Sequence, residues 1–166
     1  MDARHILPIK EGDILPKGMT EEAYALAFMR EFGLKSLDDS LLYRLPQVEL
    51  PLQISKALFL DKQTRKLKAN KSGRGPYLRL LAQAIKNPYE IWQNIVEING
   101  RKRTVLRFLR LFKGEGKEIG GFGSFTLLDG RMWTGSTVFN PKGENREAML
   151  TYLEQQRQGV LVWREK

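Results

Sequence analysis

Most of the side chains in this 166-residue chain that could do chemistry lie in four short stretches. The first, "WTGST" at residues 133–137, reads as part of a β-strand. Successive strand side chains point to opposite faces, so Trp133 and Thr137 share one side and Thr134 takes the other, while Gly135 admits a close neighbour to the backbone. Here Trp133 could offer a base a stacking surface and a threonine could hold a phosphate oxygen. High β propensity alone, with Trp133 in the core, is the competing account. In "RKRTVLRFLRLF", residues 101–112, Arg101, Arg103 and Arg107 share one parity, and Arg110 shares the other with Leu106, Phe108 and Phe112. Guanidiniums present a planar fork of donors that suits phosphate, although an exposed sheet face also carries arginine for solubility. In "YEIW", residues 89–92, Glu90 and Trp92 share a parity, and Glu90 is either a general base or half of an arginine ion pair. "KSGRGPY", residues 71–77, brings Lys71, Ser72, Arg74 and Tyr77 to a helix entrance, where free N–H groups attract anions. The same loop could be no more than a solvated basic surface.

What is missing narrows the chemistry. The chain has no cysteine, which excludes a disulfide framework, a thiolate metal site and a cysteine nucleophile. Its one histidine, His5, cannot build a triad or a histidine-rich zinc site alone, and so near a terminus it reads as a surface residue. The Walker order of a nucleotide-hydrolysing loop is absent, and so is the acidic cluster of a two-metal nuclease. RNA cleavage remains, because the substrate's 2′-hydroxyl is itself the nucleophile. The protein must then deprotonate it, hold the extra negative charge on the phosphorane and assist the leaving 5′-oxygen, with Glu, Tyr or Lys as base and acid. No metal or cofactor is needed for this.

Charge supports a polyanionic partner. The net charge is +9, and residues 56–117 hold 16 Lys and Arg against 4 Asp and Glu, while residues 1–55 are net acidic and residues 118–166 are balanced. A concentrated cationic stretch attracts nucleic acid by field and counterion release. No apolar run is long enough to span a bilayer, so the reading is a cytoplasmic protein or part of a larger one.

The elements that must position these residues follow from periodicity. Residues 1–49 read as a leader followed by a helix capped by Thr20 and stopped near Gly33. The segment with Pro46 and Pro51 reads as an edge strand or extended crossing, and residues 61–75 as an exposed loop. Pro76 opens a second helix that Asn87-Pro88 ends. From residue 89 the period drops to two, and turns at Asn99-Gly100 and Asp129-Gly130 give two successive hairpins. Helical spacing returns over residues 143–157, and residues 160–163 read as a short last strand. The fold expected is α+β, with helices on one face of a four-stranded antiparallel β-meander and an N-terminal helical extension.

"ISKALFLDKQTRKLKANKSGRGPYLRLLAQAIKNPYEIW", "LRFLRLF", "WTGSTVFNP" and "YLEQQRQGVLVWRE", in that order, resemble the phage-associated branch of the barnase, EndoU, colicin and RelE-like (BECR) nucleases over about residues 50–165. The resemblance implies a metal-independent endoribonuclease, found within longer phage head-morphogenesis proteins or toxins and delivered by a virion or acting in a target-cell cytosol. By motif it points to Arg74, Tyr77, Glu90, Arg107, Thr134 and Thr137 as catalytic residues. Lys71, Trp92, Arg103, Arg110 and Trp133 would be RNA contacts. A nuclease toxin further implies an acidic neutralising partner. The alternatives are a non-catalytic nucleic-acid-binding module and a virion structural domain.

Overall fold

The Thr20 hydroxyl accepts the Ala23 N–H at 3.1 Å and opens α1 (Glu21–Arg30) in the computed structural model, which describes residues 3–114, 117–128, 130–134 and 146–166. The Thr20 cap and Glu21 and Glu22 in the first turn complement the free N–H groups and the helix dipole there. One face of α1 buries Tyr24, Phe28 and Met29. Pro76 lies in a 3₁₀ turn, Gly75–Tyr77, that leads into α2 (Leu78–Lys86), whose apolar stripe buries six residues from Leu78 to Ile85. The helix can lie this close to the sheet because Gly123 is beneath it, where an added Cβ would come within 2.9 Å of Ile85 Cγ1.

The strands are β1 (Ile6–Pro8), β2 (Leu41–Tyr43), β3 (Leu52–Ile54), β4 (Glu90–Ile98), β5 (Arg101–Gly114), β6 (Lys117–Leu128), β7 (Met132–Thr134) and β8 (Val160–Arg164), with α3 (Arg146–Gln156) before the last. Their order is β2-β3-β7-β6-β5-β4-β8, and β1 runs parallel to β5 at Leu111–Lys113, past the end of β4. Asn99 and Gly100 adopt φ of 51° and 76°, the left-handed pair that closes the β4–β5 hairpin.

Three expectations are corrected. The sheet has eight strands among the described residues rather than four, with the antiparallel run β4 to β7 in its interior. It also carries helices on both faces. The core under α1 and α2 takes Leu106, Phe108 and Phe112 of β5, whereas Leu109 and Leu111 pack on the other side with Leu153 of α3. The cause is that β5 is apolar on both parities between Val105 and Phe112, so each face must be covered. The proline-flanked segment is not the sheet edge either: β3 starts just after Pro51, pairs with both β2 and β7, and leaves β2 outermost. Residues before 50 contribute β1, β2 and the buried face of α1 to this same sheet and core.

His5 and Arg110 also depart from expectation. His5 is 7% exposed, with its ring 4.7 Å from that of Tyr89. Arg110, expected to contact RNA, is 1% exposed on the α2 side and holds both Glu165 oxygens, at 2.8 and 3.1 Å, as well as the His5 carbonyl. It therefore clasps the start of β1 to the end of β8. Hydrogen bonding to Arg110 holds the Glu165 carboxyl below its usual range. A depressed folded value means that the clasp acts fully above the unfolded value of about 4.3 and is lost as pH falls through the folded one. Urea midpoints taken downward from about pH 6 should fall more steeply for wild type than for Glu165→Gln. Parallel curves would show the clasp to be inert. No helix among the described residues is long and apolar enough to cross a membrane.

Candidate active site

Cross-strand partners lie on one face of a sheet, so the ladder register maps the surface that α3 shares. Glu90 stands between Arg164 and Leu109. The next row holds Trp92, Arg107 and Ser124, and the one after it Asn94, Val105, Thr126 and Thr134. Val96 and Arg103 extend the face toward the hairpin tip. A short period-two pattern on four neighbouring strands thus gathers two hydroxyl-bearing strands, an indole and several guanidiniums onto one surface.

Glu90 is completely buried. Its Oε1 accepts from Arg157 Nε at 2.6 Å, and its Oε2 from Arg164 Nε at 2.7 Å and Nη2 at 2.5 Å. Arg157 donates in addition to Glu154 at 2.9 Å. Burial opposes the charge on Arg157, yet its hydrogen bonds to Glu90 and Glu154 prevail and raise it above the ordinary value. Arg107 differs. Burial lowers its guanidinium, and its Nη1 is buried without a hydrogen-bond partner among the described residues, as is Trp92 Nε1 across the β4–β5 ladder. A guanidinium stays protonated in a protein, so a buried N–H of Arg107 with no partner is a donor suited to an anion.

Of the residues singled out from the sequence, Glu90, Trp92, Arg103, Arg107 and Thr134 share this face. Others do not. Trp133 is 4% exposed, paired with Leu52 and Leu127 in the core under α1 and α2, so its ring has no open face for a base. Arg74 is 6% exposed, donates to the Ala69 and Lys68 carbonyls at 2.8 and 3.0 Å, and lies 5.5 Å from the Phe59 ring centre. It folds the basic loop onto the core instead of entering a cleft. Tyr77 packs against that same core, and Lys71 is exposed on a loop whose Asn70 N–H donates to Glu21 of α1 at 2.7 Å. Thr137 lies outside the described residues. Arg157 and Arg164 were not singled out: they are 67 and 74 residues from Glu90, and no local pattern announces the pairing. The one hint was Glu90 itself, a rare acid in the basic middle of the chain. Among the described residues no group of three or more His, Cys, Asp or Glu is placed to hold a metal ion.

A family model described as phage-Barnase-EndoU-ColicinE5/D-RelE like nuclease2 matches residues 27–164. No curated protein and no solved structure matches the chain.

Proposed function

Since the chain belongs to the phage-Barnase-EndoU-ColicinE5/D-RelE like nuclease2 family, we propose that it is a metal-independent endoribonuclease effector working on the sheet face that carries Arg107. The observation that carries this reading is the buried Nη1 of Arg107, without a hydrogen-bond partner among the described residues, beside Trp92 and Ser124. The substrate's 2′-hydroxyl gives up its proton to water as its oxygen attacks the adjacent phosphorus, the P–O5′ bond breaks, the leaving 5′-oxygen takes up a proton from water, and a 2′,3′-cyclic phosphate results. Arg107 donates to the phosphorane oxygens, where charge grows as the bond forms. Arg103, exposed nearer the hairpin tip, draws in the backbone, and Thr134 lies on the same face to meet ribose or phosphate.

Glu90 takes a positioning role in this scheme. Both of its oxygens already accept from guanidiniums, so removing a proton from substrate would require breaking those bonds. It holds Arg157 and Arg164 at the edge of the face. Arg74, Arg110 and Trp133, each buried away from this face, have no part in the chemistry. A polypeptide that neutralises this domain would cover a cationic surface and would itself be acidic there.

The test is to incubate purified protein with total RNA in excess EDTA and to map the ends. Discrete fragments ending in 2′,3′-cyclic phosphate are expected, with the matching DNA left whole. RNA that stays intact while being bound would replace the enzyme with a binding module.

A further inference from the structure

Leu52 pairs with Trp133, and both are buried beneath α1 and α2. The next residue on each strand, Gln53 and Thr134, therefore turns to the opposite side, the face of Arg107. There they line a cleft of about 230 Å³ together with Leu58 and Leu60. Ser55 and Ala57 add to the wall, and a basic loop contributes Asp61, Lys62 and Arg65. An apolar lining with a few converging polar groups is the usual make-up of a small-molecule site.

The loop is held in shape. Leu60 bridges Leu67, the Asp61 N–H donates to the Lys66 carbonyl at 2.8 Å, and the Arg65 N–H donates to the Asp61 carbonyl at 2.9 Å. The Asp61 carboxylate accepts the N–H groups of Thr64 and Gln63, each at 2.9 Å, and these bonds pull it down to about 2. Arg65 is kept at φ 61°, a left-handed conformation that few non-glycine residues adopt. Asp61 is thus committed to the turn, while Lys62 and Arg65 stay exposed at the mouth of the cleft.

We propose that this cleft is a nucleotide subsite of the RNA path, taking one base next to the cleaved step, an assignment that rests on the function proposed above. The base lies against Ala57 and Leu60, the Gln53 amide meets its edge with one donor and one acceptor, and Lys62 and Arg65 hold the neighbouring phosphate. The volume is below the roughly 300–1,000 Å³ of drug-sized sites and suits one nucleobase. β7 lies two strands from β5, about 10 Å at the usual strand spacing, so the subsite reads a flanking nucleotide and not the scissile one.

The probes are 2′-O-methyl hexanucleotides of A, C, G or U, which cannot be cut. Wild type should prefer one of them about tenfold or more, the discrimination that a paired hydrogen-bond contact supports. Gln53→Leu, with its melting temperature as a control for folding, should flatten that ranking. Lys62→Ala with Arg65→Ala should weaken all four alike and lessen the salt dependence. A ranking that survives Gln53→Leu, or no ranking in wild type, overturns the subsite. Cleavage of total RNA is scored separately. If wild type cuts RNA but the ranking test fails, the subsite falls and the nuclease stands; if it ranks the probes without cutting any RNA, the cleft stands as the base site of a binding module, while the nuclease and the cleaved step beside the cleft both fall. Failure to bind any probe removes the subsite whatever the cleavage assay shows.

Discussion

Arg107→Ala should lower kcat for RNA cleavage by on the order of 10²- to 10³-fold, the usual cost of removing one donor aimed at developing charge. Its melting temperature should hardly move. Arg107 is half-buried with an Nη1 that has no partner among the described residues, so its removal breaks no ion pair among those residues and relieves a desolvated charge. Arg107→Lys keeps the charge but loses the fork and should fall between the two. Single-turnover cleavage of a short RNA under saturating protein reads the effect directly. A loss of less than about threefold, against the expected 10²-fold or more, would move the phosphate site elsewhere.

Glu90→Gln should show the opposite profile, with a large loss of stability. The substitution preserves shape but leaves two guanidiniums facing each other across a neutral amide. Removing one member of a buried ion pair costs about 3–5 kcal/mol. The lower end applies here, because the Arg157 and Arg164 side chains keep 21% and 47% of their exposure and water solvates the orphaned charge in part. For a domain of this size about 3 kcal/mol corresponds to a drop of roughly 6–12 °C in Tm. Pairing Glu90→Gln with Arg164→Gln should restore some of it, since one stranded charge goes with its partner. Kinetics separate positioning from proton transfer. If Glu90 only anchors the arginines, the residual activity of Glu90→Gln keeps the acidic limb of the pH–rate profile. A lost acidic limb with an unchanged Tm would make Glu90 the base.

These two residues also show how far local pattern reaches. Alternation along 101–112 separates Arg103 and Arg107 from Arg110, and the Asn99-Gly100 turn sets β4 beside β5, so the grouping of Glu90 and Trp92 with Arg107 is within reach of sequence reasoning. Which of the two faces stays available is not, because β5 is apolar on both parities and either could have met the helices. Trp133 was open for the same reason. Its strand alternation is legible, but its burial follows from pairing with Leu52, 81 positions earlier, in a strand too short and proline-flanked to advertise itself.

The amino-acid sequence by itself determined the α+β class, the two main helices, the long central hairpin, the basic character of residues 56–117 and the parity of each strand residue. All of these rest on near-neighbour physics: backbone geometry alternates side chains every two residues or winds them every 3.6, and caps and turns act within a few positions. Tertiary structure alone decided that Arg110 clasps Glu165, that Arg74 serves the core, that Arg157 and Arg164 converge on Glu90, and that Thr134 and Gln53 line one cleft. Those outcomes are set by which distant segments exclude water from each other, and burial of this kind belongs to pairs of surfaces, not to any one stretch of chain.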